Sequence, residues 1–453
     1  MALLLAGLGF GPAASGQQVR VIRVPGDAET VQLAIEMVEP GDVVLLDPGT
    51  YPGEVVVPED ATGITIRGVD RNAVVLDGGY EQEQAISVQA DGVTLENLSA
   101  TGFEGNAFEW IDVEGFTGRY LTAWNVEYYG VYAISSSGGL VEDSYVSGAA
   151  DAAFYIGECR PCDTTIRRVT ARLSAIGYSG TNASGDMVLR DSIFESNGTG
   201  IMPNSYDEER FPPQGSMTVV RNVVTDSGRV PTPNAGPLGG FHGMGIGIAG
   251  GVENRVQDNR VTGSARYGIA LYPTLQREGP PWTPEGNVVR RNEVSGSGLA
   301  DLAVSEGSGD GNCFEANTAA VTLPANLAEA ASCPDGSAVG YGDPTVAALL
   351  AVPPPEADTV TMSELGERPD YSEMPEPEAQ PNLPGAADLP PAGTGTAGPG
   401  DGSTGVTSPW AFALVGAGLG AALVGALAVV MARRSRRPPA VDNAEKPGPG
   451  PLP

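Results

Sequence analysis

Hydrophobic positions return along this chain with a period near 23 residues. Ile86, Phe108, Val131, Phe154, Tyr178 and Ile201 are spaced 22, 23, 23, 24 and 23 apart, and the column continues through Ile246, Ile269 and Leu302. Around these positions lie runs of four to six β-branched and apolar residues, punctuated by Gly, Asn, Asp and Ser. That pattern predicts strands rather than helices. A fixed period of this length means one short unit stacked on copies of itself. The expected fold is all-β: a right-handed parallel β-helix of about ten coils over residues 25–335. Side chains of the column, and those two places on, should point inward. Ser87, Glu109, Tyr132, Tyr155, Ser179 and Met202 should point outward. A second column is read as Asn97, Tyr120, Asp143, Arg168, Asp191, Asn222, Asn259, Asn292 and Asn317.

Breaks in the period place the loops. Inserts Tyr206–Gly215 and Pro273–Gly286 fall at one corner of the coil and Asp226–Phe241 at the next, positions suited to walling a groove. Asp27–Val38 reads as an amphipathic helix capping the first coil, which would otherwise leave an open sheet edge. A short closing helix is expected within 336–352. Residues 353–408, rich in Pro, Gly and acidic side chains, cannot bury a core and are expected to form a disordered stalk.

The ends suggest export and anchoring. Residues 1–16 read as a signal peptide. Trp410–Ala432 carries no charge and is long enough to span a bilayer, and Arg433, Arg434, Arg436 and Arg437 follow it. The span is placed at 409–432 with a basic cytoplasmic tail at 433–453. The expectation is a single-pass cell-membrane protein with its N-terminus and coil outside. Leu389-Pro390-Pro391-Ala392-Gly393 also loosely resembles a sortase sorting signal, leaving sortase processing as an alternative to a retained helix. The formal net charge of −31 argues against nucleic acid as a partner. It also disfavours polyanionic sugars unless a cation such as calcium bridges the two surfaces.

The run Pro40-Gly41-Asp42-Val43-Val44-Leu45-Leu46-Asp47-Pro48-Gly49-Thr50-Tyr51, followed by Ile64-Thr65-Ile66-Arg67-Gly68, resembles the opening of pectate-lyase-like right-handed β-helix proteins. Among these it resembles the NosD-like repeat-containing surface proteins. The resemblance implies the fold over about residues 25–335. It leaves the function open, because lyases, hydrolases, epimerases, adhesins and accessory proteins share this scaffold. A role in metal maturation is the accessory function that the NosD-like group implies.

Several side chains are candidates for chemistry. Asp112, Ser135, Glu158, Asn182 and Ser205 stack four places after the inner column, with Asn204 beside them. Asp112 and Glu158, two coils apart, would lie roughly 10 Å from each other, near the spacing of a carboxylate pair in inverting glycosidases. Tyr132 and Tyr155 suit stacking on sugar rings. The expected ligand site is therefore Tyr132, Tyr155, Glu158, Asn182 and Asn204, contacting a glycan or another envelope component. Asp112, Glu158 and His242 are the catalytic candidates. Binding is the leading reading and a polysaccharide lyase or glycoside hydrolase the alternative. No metal site is read. Cys159 with Cys162, and Cys313 with Cys333, are expected to form a corner disulfide and a cap staple.

Overall fold

The computed structural model describes residues 19–233, 241–274, 276, 279–334, 336, 341–350 and 377–388. Three parallel sheets of 12, 11 and 10 strands make up these residues, and each turn of the chain adds one strand to each sheet. The eleven-stranded sheet carries the hydrophobic column. Val55, Ile86, Phe108, Val131, Phe154, Tyr178, Ile201, Ile246, Ile269 and Leu302 pair in one unbroken register. All are buried in one continuous core. Burial of such side chains stabilises by about 1.5–3 kcal/mol each. Stacking thus supplies what a single 23-residue turn cannot.

The second column is not one column. Asn97, Tyr120, Asp143, Arg168 and Asp191 occupy left-handed turn positions with φ of 50–58°, and Arg221, Asp258 and Arg291 continue that row. Asn222, Asn259, Asn292 and Asn317 lie one residue later and point inward. There each amide Nδ2 donates to the next Oδ1 at 3.0–3.1 Å. A parallel ladder runs Gln214, Asn254, Asn287, Asn312. Extended stacking explains the pattern, because a buried side-chain amide must find both donors and acceptors. On the outer surface, Arg168 pairs with Asp143, Arg221 with Asp191 and Arg291 with Asp258.

The helix Val31–Ile35 is capped by Thr30, whose hydroxyl accepts from Leu33 N at 3.1 Å. It packs on the strands Val21–Val24, Val43–Leu46 and Val55–Val57 at the first coil. A helix at Pro344–Leu350 follows the last coil. Both disulfides form, Cys159–Cys162 at a corner and Cys313–Cys333 at the C-terminal end of the stack. Part of the segment expected to be disordered is ordered: residues 377–388 lie against the N-terminal coils, with Ala386 buried. The reason is polar rather than apolar, since side chains of Asn72 and Asn97 bond to its backbone. The signal peptide, membrane span and basic tail lie outside the described residues. Among the described residues no helix is long and apolar enough to cross a membrane.

Candidate functional site

The outer face of the eleven-stranded sheet presents Ser87, Glu109, Tyr132, Tyr155, Ser179 and Met202 in register. Facing outward does not leave them open to water. Glu109, Tyr155, Ser179 and Met202 are each at most 8% exposed. Met202 packs with Ala175 and Ile176, and Tyr129 and Phe241 close over that patch. The insert between Ser205 and Gly215 folds back over the preceding coils to cover the rest.

Asn182 holds that insert down. Its side chain is fully buried; Nδ2 donates to the carbonyls of Tyr206 and Glu209 at 2.7 and 3.1 Å, and Oδ1 accepts from Tyr206 N at 3.0 Å. Asn182 is thus a positioning residue, and its amide does not face a ligand. Arg210 Nη1 donates to Ser135 Oγ at 3.3 Å, and its guanidinium lies 4.8 Å from the Phe211 ring centroid. The exposed rim includes Tyr206 and Phe211, 39% and 38% exposed.

Beneath the insert three tyrosines meet. Tyr129 stacks on Tyr132 at 4.7 Å, Tyr132 on Tyr155 at 4.9 Å, and Tyr129 lies 5.0 Å from Tyr155. Tyr155 lies along its strand over Gly157, where a Cβ would come within 2.2 Å of the phenol oxygen. Its hydroxyl donates to Glu209 Oε2 at 3.0 Å. The hydroxyl of Tyr129 donates to Asp151 Oδ2 at 3.1 Å. Burial pushes the Glu209 carboxyl up to about 7, against the Tyr155 hydrogen bond, while Glu158 and Asp151 add to the rise. Burial likewise raises Asp151 to about 6. It raises Glu109 too, although Ser87 and Asn106 bond to that carboxylate. All three phenols are pushed well above 10, chiefly by desolvation.

The sequence-predicted residues divide. Tyr132, Tyr155 and Glu158 belong to this cluster. Glu158 accepts from Ser135 Oγ at 3.5 Å, and burial raises its pKa against the opposing pull of Arg210. Asn204 is half-buried on the same face and accepts from Thr181 and Ser179 hydroxyls at 3.2 and 3.4 Å. Asp112 is exposed at the corner, with φ of 56° in the row of Ser135, Glu158 and Asn182. His242 is buried in the turn before Met244–Ala249, its Nε2 against Gly228. Tyr129, Asp151 and Glu209 were not anticipated. Glu209 lies in an insert that a periodic column cannot place, and Asp151 stands at a corner; Tyr129 opens the strand Tyr129–Ile134 two places before the inward Val131, where alternation points it inward, yet it stacks on the outward Tyr132. Among the described residues no group of three or more His, Cys, Asp or Glu could hold a metal.

A right-handed β-helix region model matches residues 106–276, the stretch that carries this site. The chain is a right-handed parallel β-helix repeat protein. No curated protein matches it significantly. Among solved structures, this β-helix is similar to the catalytic domain of GH87 α-1,3-glucanase, 12% identical with a TM-score of 0.43, covering 68% of this chain and 70% of that one. It is also similar to the A-module of Azotobacter vinelandii mannuronan C-5 epimerase AlgE4, at 12% identity and a TM-score of 0.42 over 61% and 86%. A third is alginate lyase from Paenibacillus sp. str. FPU-7, at 14% and 0.40 over 72% and 99%. Likeness at these levels carries no argument about activity.

Proposed function

We propose that this β-helix acts on a neutral polysaccharide at the outer face of its eleven-stranded sheet. The observation that carries the reading is the pairing of two carboxyls, Asp151 and Glu209, with the hydroxyls of a stacked tyrosine trio. Glycosidic cleavage needs a carboxylic acid that keeps its proton near neutrality and a second carboxylate that is ionised there. With the insert closed over a chain admitted while it is open, Glu209, raised to about 7 by burial, fits the proton donor, and Asp151, raised to about 6, fits the base. Tyrosines whose pKa is raised well above 10 stay protonated near neutrality and cannot take up a proton, which favours hydrolysis over phenol-assisted elimination. Arg210 offsets Glu158, while Glu209 is raised further by Glu158 and Asp151. That balance favours an uncharged chain over a polyuronate.

A binding role without turnover is the second reading. It is favoured by the hydrogen bonds that commit each carboxyl to a tyrosine, an arrangement that also serves to fix an aromatic platform. The exported, membrane-anchored setting is part of the proposal and rests on the charge-free run Trp410–Ala432 and the arginines that follow it. A glycan array probed with residues 19–350, with and without calcium, tests the substrate class. Binding to neutral glycans that weakens in Tyr132→Ala supports it. Binding confined to polyuronates in calcium, or none at all, would overturn it.

A further inference from the structure

We propose that the corner formed by Asp70, Arg71, Asn72 and Asn97 is a peptide-recognition site whose ligand is this chain's own segment Gln380–Leu383. Two bonds join Asn72 to one backbone unit: Nδ2 donates to Gln380 O at 2.9 Å, and Gln380 N donates to Oδ1 at 2.8 Å. A side-chain amide used this way reproduces the pairing of a neighbouring strand, so it reads extended backbone. Arg71 Nη1 donates to Pro381 O at 3.2 Å. The Asn382 side chain is read from both sides, accepting from Arg71 N at 2.6 Å and donating to Asp70 Oδ1 at 3.1 Å. Leu383 N closes the set on Asn97 Oδ1 at 2.7 Å.

The recognising groups are prepared by the coil. Asn97 sits in the left-handed turn and spends its Nδ2 on Gly68 O at 2.8 Å, which leaves Oδ1 aimed outward. Arg71 is 1% exposed and fixed by Thr122 Oγ1 at 2.6 Å, by Asp143 O at 3.1 Å and by Leu121 O. A rigid donor and acceptor array of this kind loses little entropy when an extended peptide lands on it.

Docking within one chain is geometrically open. Register runs in eight steps from Ile86, near the Asn97 coil, to Leu302, whose coil bridges to Asp343. At about 4.8 Å per step the return distance is about 38 Å. The 26 residues from 351 to 376 reach about 85 Å when extended, and such a link gives an effective concentration near millimolar. The clasp also resets the tether. On the reading that 409–432 anchors the protein, 20 residues (389–408) remain between clasp and membrane rather than the 56 of 353–408.

The test is amide hydrogen exchange on the full chain in detergent, without a bilayer, so that a failure of the anchor reading leaves the result unchanged. Gln380 and Leu383 amides should exchange at least tenfold more slowly than in an unstructured peptide. In Asn382→Ala, and separately in Leu383→Pro, protection of the remaining clasp amides should vanish while the strand Ile86–Val88 stays protected. Both changes lie outside the β-helix and leave its core intact. Unprotected wild-type amides would overturn the proposal. So would protection that grows with protein concentration, which would assign the site to a second copy.

Discussion

Replacing Glu209 with Gln isolates the electrostatic cost of closing the insert over the tyrosines. Glutamine keeps an oxygen to accept from the Tyr155 hydroxyl but cannot ionise. In the closed state burial lifts the Glu209 carboxyl from 4.5 to about 7, whereas in the opened insert it returns to its ordinary value. A raised carboxyl pKa stabilises the closed form fully below about pH 4.5, and that contribution is lost as pH rises through about 7. The interval is worth about 3 kcal/mol, roughly a hundredfold in the opening equilibrium. The reporter is the Tyr206 amide, held by Asn182 Oδ1 at 3.0 Å, whose exchange is followed after correction for the intrinsic pH dependence of the rate. In wild type its protection should fall more than a hundredfold between pH 4.5 and 8, roughly a hundredfold of it from Glu209 and a smaller factor from Asp151. In Glu209→Gln that fall should shrink to the smaller part contributed by Asp151. Identical pH profiles in the two proteins would mean that closure does not desolvate Glu209.

Two further outcomes follow from the same geometry. Asn182→Ala removes three hydrogen bonds to the insert, about 1 kcal/mol each; limited proteolysis should then cut within 206–214 while the coil survives. Asn259→Ala strands its ladder neighbours, whose backbone and side-chain groups bond to it, and should destabilise the coil by about 2–4 kcal/mol, read as a lowered Tm with native-like spectra below it.

The column from Ile86 to Leu302 was legible because inward side chains recur wherever a coil closes, whatever loop intervenes. The Asn column slipped by one residue at Asn222 because Asp191 and Asn222 are both plausible turn residues, and only the pairing of Ile193 with Val223 fixes which is the corner. Tyr132 and Tyr155 could be found from alternation. Their partners Asp151 and Glu209 could not, since a corner and an insert obey no period. Nor does alternation say that an outward residue stays wet: Met202 and Tyr155 face out and are covered by loops. The clasp is not legible in the sequence for a different reason. Disorder is read from missing apolar residues, and Gln380–Leu383 docks through amides.

Action on a neutral polysaccharide is read by reducing-end release from a panel of such polymers at pH 6, with wild type, Tyr132→Ala and Glu209→Gln side by side. Wild type should release reducing ends, Tyr132→Ala should do so with a raised KM, and Glu209→Gln should lose about a hundredfold or more in kcat, the usual weight of a general acid. Release that survives undiminished in Glu209→Gln, or no release from any member of the panel, would contradict the proposed hydrolysis.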